Sequence, residues 1–279
     1  MNRGYIDTFH QQGFAVIRGV FRADEIAEAA AAFDQVRARA LEYRTSFRHQ
    51  NVFFQLSEDP SIGKQVRLVQ WPSYFDETLN RIRLDRRLRD VLAPLIGKSL
   101  KQIINQMHWK QPGAAQTSFG YHQDIWFRRP RTAYRDPESS FIQTGIAIDP
   151  QNAANGAMTF YPGSHRRGAF SLPGERRIMD RSMDARDLRA LGLDPTDAIT
   201  VEMAPGDIAI WNLFTLHGSG PNTTGSDRRL YINGYVSADK CDRGEWAFRD
   251  GAPCALGEPA LVHYEDLYRR PQPHYVDMI

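Results

Sequence analysis

The chain has 279 residues, of which 42% are hydrophobic and 24% are charged, a composition typical of a globular protein able to bury a sizeable core. Its 35 basic and 33 acidic residues leave a net charge of +2, which argues against a nucleic-acid partner. The two cysteines, Cys241 and Cys254, form neither a CxxC pair nor a disulfide framework. The N-terminus lacks the apolar stretch of a signal peptide, and no run reaches the ~18 apolar residues of a membrane span. We therefore expect a cytoplasmic protein without a membrane partner.

The first third of the chain is predicted to be mainly helical. Residues 13–20 are rich in β-branched side chains and predict a short buried strand. A helix is expected over 23–42, because its apolar residues recur at helical spacing: Ile26, Ala30, Phe33, Val36 and Ala40. Two further helices are expected near 73–82 and 85–96, the second ending at Gly97.

The rest of the chain has the pattern of a β protein. Short apolar segments alternate with Gly, Pro and Asn turns, which favours a sandwich or barrel. The predicted strands cover 99–109, 115–123, 141–149, 156–161, 199–203, 207–217 and 229–237. The polar stretch 163–198 is interpreted as an insertion, of a kind that often forms functional lids. We expect one domain over 1–279, with a helical part over about 1–98 and a β core over about 99–240.

Two segments carry candidate metal ligands. His122 and Asp124 are two residues apart, so on a strand both side chains would point to the same face. Imidazole and carboxylate are the ligands of the 2-His-1-carboxylate triad of non-haem Fe(II) oxygenases, although an isolated HxD is a weak signal. The turn at 205–207 leads into an apolar strand that ends at His217, beside Gly218. A histidine in that position is well placed to be the third ligand.

An arginine follows the second segment. Arg228 opens the next predicted strand, where its planar guanidinium could bind the distal carboxylate of a dicarboxylic acid through two hydrogen bonds. The adjacent Arg229 would face the opposite side, and we interpret it as a solvated charge.

Together these motifs resemble the phytanoyl-CoA dioxygenase family of Fe(II)/2-oxoglutarate oxygenases. The resemblance rests on the HxD motif, on H-G-S-G-x-N-x-T from His217 and on the following Arg228. Three further segments agree with the family, and the resemblance covers about residues 10–237. These segments are K-x-P-G at 110–113, N-G at 155–156 followed by P-G-S-H-R at 162–166, and the opening strand and helix at 13–26.

The resemblance implies a mainly β fold with flanking helices, a double-stranded β-helix or cupin-like jelly roll. It also implies three iron ligands, namely His122, Asp124 and His217, with 2-oxoglutarate and O2 as cosubstrates. Arg228 would hold the 5-carboxylate of 2-oxoglutarate with help from Ser219. Asn105 matches a position near the cosubstrate in some members, but a hydrogen bond within the core is an equally good interpretation. The presence of Asp124 argues against halogenation.

The activity implied by the resemblance is that of a dioxygenase, which hydroxylates an unactivated C–H bond of a small molecule and releases succinate and CO2. Three alternatives stay open. The same iron chemistry could give desaturation, epoxidation or cyclisation. The chain could instead be a non-catalytic, cupin-like metal- or ligand-binding protein, or a metal-dependent hydrolase. The complete triad and Arg228 argue against the non-catalytic protein. Zinc could occupy the same ligands in a hydrolase, but Arg228 would then lack a purpose.

The segment after the HxD motif suggests a substrate class. If this segment continued as an extended strand, Trp126 and Arg128 would lie on the same face as His122. They would then place an aromatic wall and a cation at the mouth of the pocket, which predicts an anionic substrate. In the alternative interpretation, the arginines of this segment pair with Asp136 and Glu138 in a surface lid; they are Arg128, Arg129, Arg131 and Arg135.

Overall fold

The computed structural model describes residues 3–115, 117–171, 183–259 and 270–276. Within them, no helix combines the length and apolar character needed to cross a membrane. The α-helices of this part are α1 (Gly4–Gln12), α2 (Ala23–Leu41), α3 (Glu77–Arg83), α4 (Arg86–Ile96), α5 (Pro137–Ser140) and α6 (Ala185–Ala190). The predicted helices over 23–42 and 85–96 are confirmed, and the one near 73–82 corresponds to α3 preceded by a 3₁₀ turn.

Strands make up most of the remaining regular structure. They are β1 (Phe14–Ile17), β2 (Phe47–His49), β3 (Val52–Asp59), β4 (Gly63–Gln70), β5 (Leu100–Lys110), β6 (Phe119–His122), β7 (Phe141–Ala147), β8 (Met158–Phe160), β9 (Ile199–Thr200), β10 (Ile208–Asn212), β11 (His217–Ser219), β12 (Arg228–Ser237), β13 (Glu245–Arg249), β14 (Ala252–Pro253) and β15 (His274–Tyr275).

The strands form two antiparallel sheets. In the described residues, the larger sheet has the order β1-β10-β7-β12-β5-β4-β3-β2-β15, with β13 attached to β5 and β14 to β13. The smaller sheet has the order β6-β11-β8-β9. This arrangement is the jelly roll with flanking helices that the sequence predicted.

Helix α2 covers the outer face of the larger sheet. Its buried Phe33 lies with its ring centroid 5.1 Å from Trp109 of β5 and 6.3 Å from Tyr231 of β12. A fully buried phenylalanine of this kind contributes about 1.5 to 3 kcal/mol through removal of apolar surface from water. The helical layer therefore supports β5 and β12, whose opposite faces point into the jelly roll.

Besides its helices, the N-terminal part contains strands that were not predicted from the sequence. It also contributes β2, β3 and β4 to the larger sheet, and β4 pairs directly with β5. A register shift opposite Gln55 and Leu56 of β3 makes Arg67 an extra residue in β4. Such a bulge breaks the two-residue alternation by which a half-buried strand is recognised in a sequence.

The predicted strand over 207–217 is divided in two. The main chain leaves β10 after Asn212, whose Oδ1 accepts a hydrogen bond from the amide of Phe214 at 2.9 Å. The carbonyl of Gly13 accepts from the amide of Asn212 at 2.9 Å and from Oγ1 of Thr215 at 2.7 Å. This turn carries the chain from the larger sheet to the smaller one, where β11 begins at His217. Part of the predicted insertion over 163–198 lies outside the described residues.

Candidate metal centre and its surroundings

Three potential ligands meet at the edge of the smaller sheet. His122 ends β6 and His217 begins β11, and the two residues are directly opposite each other in the antiparallel pairing. Asp124 opens a 3₁₀ helix, Asp124–Phe127. Nε2 of His122 lies 3.8 Å from Oδ1 of Asp124, and Nε2 of His217 lies 3.7 Å from Oδ2. Two atoms that each bind one metal at about 2.1 Å lie up to ~4.2 Å apart, so this cluster fits a single ion.

Both imidazoles are oriented by their own backbone. Nδ1–H of His122 donates to the carbonyl of Gly120 at 2.8 Å, and Nδ1–H of His217 donates to the carbonyl of Thr215 at 2.9 Å. These bonds leave each Nε2 as the nitrogen available to a metal. Burial, reinforced by the nearby His217, lowers the pKa of His122 to about 4. His122 is therefore neutral near pH 7, as a metal ligand must be.

Asp124 is ionised although it is buried. Burial alone would raise its pKa, but electrostatic interactions with His217, His122 and Arg128 hold the pKa at about 2. Oδ2 of Asp124 also accepts hydrogen bonds from Nε1 of Trp211 at 2.8 Å and from Nε2 of Gln143 at 3.1 Å. The cluster thus offers two imidazole nitrogens and one carboxylate, which is the donor set preferred by non-haem Fe(II).

A second group of side chains is suited to an anion. Arg228 is 2% exposed, and its Nε and Nη2 have no hydrogen-bond partner among the described residues. Lys110 is opposite Arg228 in the pairing of β5 with β12, and its Nζ donates to Oγ of Ser219 at 2.7 Å. Burial, and after it the charge of Arg228, lowers the pKa of Lys110 to about 6. Buried donors without an acceptor are costly, so this group fits a carboxylate ligand.

Arg229 faces the other side of β12, as predicted, but it is not a solvated charge. Its side chain is 14% exposed, and Nη2 lies 2.8 Å from a carboxylate oxygen of Asp149. Nε donates to the other oxygen of Asp149 at 2.9 Å, and Asp34 forms a further ion pair at 3.1 Å. Arg229 therefore joins β12 to the outer layer of the fold.

Asn105 also has its bonds on the outer side. Its Nδ2 donates to the hydroxyl of Tyr231 at 2.6 Å and to Oδ1 of Asn233 at 2.9 Å. Its Oδ1 accepts from the amide of Ser73 at 3.3 Å. The structure does not bring Asn105 to the group around Arg228, since residues that alternate along β5 point to opposite faces. The hydrogen-bonding role within the core fits these contacts, so Asn105 is left out of the proposed cosubstrate site.

The HxD motif is followed by a 3₁₀ turn and not by an extended strand, so the expectation based on an extended strand is wrong. The 3₁₀ turn directs Trp126 into the core, where it is buried and its Nε1 donates to the carbonyl of Phe170 at 3.1 Å. The same turn brings Phe127 beside the ligands, with its ring centroid 5.6 Å from that of His122 in an edge-on contact. Within this segment, the aromatic side chain beside the metal centre is therefore Phe127 rather than Trp126.

Arg128 is buried near the cluster and does not belong to a surface lid. It is 3% exposed and lies over the ring of Phe141 at 5.6 Å. Among the described residues, its Nε and Nη1 have no hydrogen-bond partner. Its charge contributes to the lowered pKa values of His122 and Asp124. The predicted pairing with Asp136 is wrong, because Asp136 binds Lys240 at 2.8 Å.

Four residues of this site were not singled out as functional in the sequence. They are Lys110, Phe127, Gln143 and Trp211. Lys110 had a detectable signal, because it begins the K-x-P-G segment at 110–113 that resembles the family. For the other three, the sequence offers no signal, since their contacts depend on how the two sheets close.

Two antiparallel sheets that enclose a His-Asp-His cluster define a non-haem oxygenase that uses Fe(II), 2-oxoglutarate and O2. The sequence model of the phytanoyl-CoA dioxygenase family matches residues 9–230. The chain therefore belongs to the phytanoyl-CoA dioxygenase family and is a dioxygenase.

Similar proteins agree with this assignment. A protein of Stutzerimonas stutzeri described as a probable alpha-ketoglutarate-dependent hypophosphite dioxygenase is 26% identical over 238 residues, which cover 85% of this chain and 78% of that protein. The methylphosphonate hydroxylase of Gimesia maris is 27% identical over 197 residues, or 69% of this chain and 67% of that protein. The crystal structure of EctD from S. alaskensis with 2-oxoglutarate and 5-hydroxyectoine has the same fold, with a TM-score of 0.66 at 19% identity over 95% of this chain and 87% of that chain.

Proposed function

We propose that this dioxygenase hydroxylates an unactivated C–H bond of a small anionic molecule, with iron held by His122, Asp124 and His217. One molecule each of substrate, 2-oxoglutarate and O2 would give the hydroxylated product, succinate and CO2. The observation that carries the proposal is the buried guanidinium of Arg228, which has unpaired donors in the same fold as a buried three-ligand cluster. A metal-dependent hydrolase or a simple metal-binding protein would have no use for this second group.

The residues that would hold 2-oxoglutarate are separate from those that would hold the metal. Arg228 would hold the 5-carboxylate of 2-oxoglutarate through its free Nε and Nη2, and Lys110 and Ser219 would complete the anion site from the neighbouring strands. When bound, Fe(II) supplies the redox chemistry that couples decarboxylation of 2-oxoglutarate to substrate oxidation. The protein contributes the position of the reacting bond and a site from which bulk water is excluded.

The anionic substrate follows from Arg128. One buried guanidinium is accounted for by 2-oxoglutarate, whereas the second, beside the metal cluster, has two donors without an acceptor among the described residues. Relatives described as acting on hypophosphite and methylphosphonate support a small oxyanion as the ligand of this second guanidinium. Phe127, which contacts His122, would form the apolar wall of the same substrate site.

The test is substrate-stimulated release of succinate. Purified protein with Fe(II), 2-oxoglutarate and O2 is assayed with methylphosphonate, short carboxylic acids and their neutral amides. Hypophosphite, which has P–H bonds and no C–H bond, is included to test recognition of the anion separately from C–H hydroxylation. We expect stimulation by at least one anion, none by its neutral analogue, and none with Asp124→Ala. Analysis of the product by mass spectrometry distinguishes hydroxylation from desaturation, epoxidation and cyclisation. Stimulation by neutral compounds alone would contradict the anionic substrate, and equal activity of Asp124→Ala would contradict the ligand assignment.

Two further sequence predictions belong to this proposal. The enzyme is placed in the cytoplasm, and residues 1–279 are taken as one oxygenase domain.

A further inference from the structure

One oxygen of Asp124 is held by two neutral donors. Nε1–H of Trp211 and Nε2–H of Gln143 both donate to Oδ2, at 2.8 Å and 3.1 Å. A carboxylate oxygen has two lone-pair positions, so these two bonds fill the hydrogen-bonding capacity of Oδ2. In the described part of the chain, no hydrogen bond reaches Oδ1. The two oxygens lie at similar distances from a ligand nitrogen, Oδ1 at 3.8 Å from Nε2 of His122 and Oδ2 at 3.7 Å from Nε2 of His217, so they differ in their hydrogen bonds. The two oxygens of the same carboxylate therefore have different environments.

The two donors come from the larger sheet, whereas Asp124 follows a strand of the smaller one. Trp211 of β10 and Gln143 of β7 are direct partners in the antiparallel pairing. Their side chains thus reach across the interior of the jelly roll to the carboxylate. Because two adjacent strands supply the donors, the position of Oδ2 is fixed relative to the main sheet, and the local 3₁₀ turn alone does not determine it.

A glycine on the strand next to β7 leaves room for the side chain of Gln143. Gly234 of β12 is opposite Gln143. A Cβ added at Gly234 would overlap Oε1 of Gln143 and would lie 3.0 Å from the ring of Phe141. The absence of a side chain at Gly234 therefore lets the amide of Gln143 turn its Nε2 towards Asp124.

We propose that Trp211 and Gln143 are positioning residues that occupy Oδ2 and reserve Oδ1 of Asp124 for iron. This inference rests on the proposed role of Asp124 as a ligand. A carboxylate bound through one oxygen uses one coordination position, whereas binding through both oxygens uses a second position that a cosubstrate needs. Neutral donors suit this task, because an arginine or lysine in the same place would neutralise the charge that the carboxylate offers to the metal. Outer partners of metal ligands typically change metal affinity 10- to 100-fold when removed.

The test compares two tryptophans. Trp211→Phe removes the donor to Asp124 and keeps most of the apolar packing. Trp109→Phe is the matched control, because Trp109 is also buried and its Nε1 has no hydrogen-bond partner among the described residues. We expect Trp211→Phe to weaken Fe(II) binding roughly 10- to 100-fold and to shift the charge-transfer absorption of the anaerobic complex with Fe(II) and 2-oxoglutarate. Trp109→Phe should leave both quantities within twofold of the wild type.

A second variant separates positioning from general damage. Gln143→Met keeps the volume of the side chain and removes its donor, so it should shift the same absorption band with a smaller loss of Fe(II) affinity. Wild-type affinity and an unshifted band in both Trp211→Phe and Gln143→Met would overturn the proposal. Equal losses in Trp211→Phe and Trp109→Phe would also overturn it, since the cause would then be packing. Failure of the proposed function gives a different result, because Asp124→Ala would then bind Fe(II) as the wild type does.

Discussion

Each face of strand β12 carries an arginine, but the two arginines differ in whether their hydrogen-bond donors have partners. On the outer face, Arg229 is bound by Asp149, and the hydroxyl of Tyr231 accepts from Asn105. On the inner face, Arg228 keeps two buried donors without a partner in the described part of the protein. Paired polar groups hold the layers of the fold together, whereas buried donors left unpaired mark the side where a ligand completes the structure.

The largest expected effect comes from removing the charge of Arg228 on the inner face of β12, compared with removing that of Arg229 on the outer face. Arg228→Gln should weaken 2-oxoglutarate binding by roughly 2 to 5 kcal/mol, or about 30-fold to several thousand-fold, because a buried carboxylate would lose its charged partner. Arg229→Gln should lower the free energy of unfolding and leave this affinity nearly unchanged. Anaerobic titration of the Fe(II) protein with 2-oxoglutarate, together with chemical denaturation, measures both quantities. The reverse ranking of the two variants would show that Arg229 holds the cosubstrate.

The same contrast applies to two arginines that follow the metal ligands. Arg128 is buried, whereas Arg135 forms an exposed ion pair with Asp242 at 2.8 Å. Arg128→Ala should raise the Michaelis constant for the anionic substrate roughly 10- to 150-fold, since hydrogen bonds to charged groups contribute about 1.5 to 3 kcal/mol. Arg135→Ala should have little effect, because exposed ion pairs contribute at most about 1 kcal/mol. If Arg128→Ala raised the requirement for 2-oxoglutarate instead, Arg128 would belong to the cosubstrate site.

Asn105 tests whether the polar groups on the outer face of β12 serve stability and not ligand binding. Asn105→Ala should lower the free energy of unfolding by about 1 to 3 kcal/mol, because the hydroxyl of Tyr231 and the amide of Ser73 lose a buried partner. Its affinity for 2-oxoglutarate should stay unchanged. A variant with unchanged stability and weakened cosubstrate binding would move Asn105 to the inner, ligand-binding group.

The smallest expected effect is a proton taken up on binding. Burial lowers the pKa of Lys110 to about 6, so the free amine is mostly neutral above that pH. A bound carboxylate favours the charged form and raises this pKa, and 2-oxoglutarate affinity should therefore fall as the pH increases above about 6. Calorimetry in buffers of different ionisation enthalpy should detect uptake of up to one proton. The uptake should disappear in Lys110→Met and persist in Lys101→Met, which alters the same strand.

Much of the metal centre could be predicted because its signals are local. The HxD motif, the turn before β10 and Arg228 are each short patterns. Alternation does not reveal which face of a strand meets the helices, so Asn105 could not be assigned. The turn at 124–127 rotated Trp126 away from the ligands, and the partners of Asp124 depend on how two sheets close. Local pattern thus identified the ligands, whereas their surroundings required the tertiary structure.

The pairing of His122 directly opposite His217 has a consequence for folding. The two histidines are far apart in sequence, and they become neighbours only when β6 and β11 pair. Contacts of this kind form late, because the entropy cost of closing a long loop comes before the strand pairing can stabilise the fold. An incompletely folded chain therefore lacks the three-ligand site, so Fe(II) binds the closed state more tightly. By mass action, iron then raises the melting temperature as its concentration exceeds the dissociation constant, so thermal stability reports directly on loading of the enzyme.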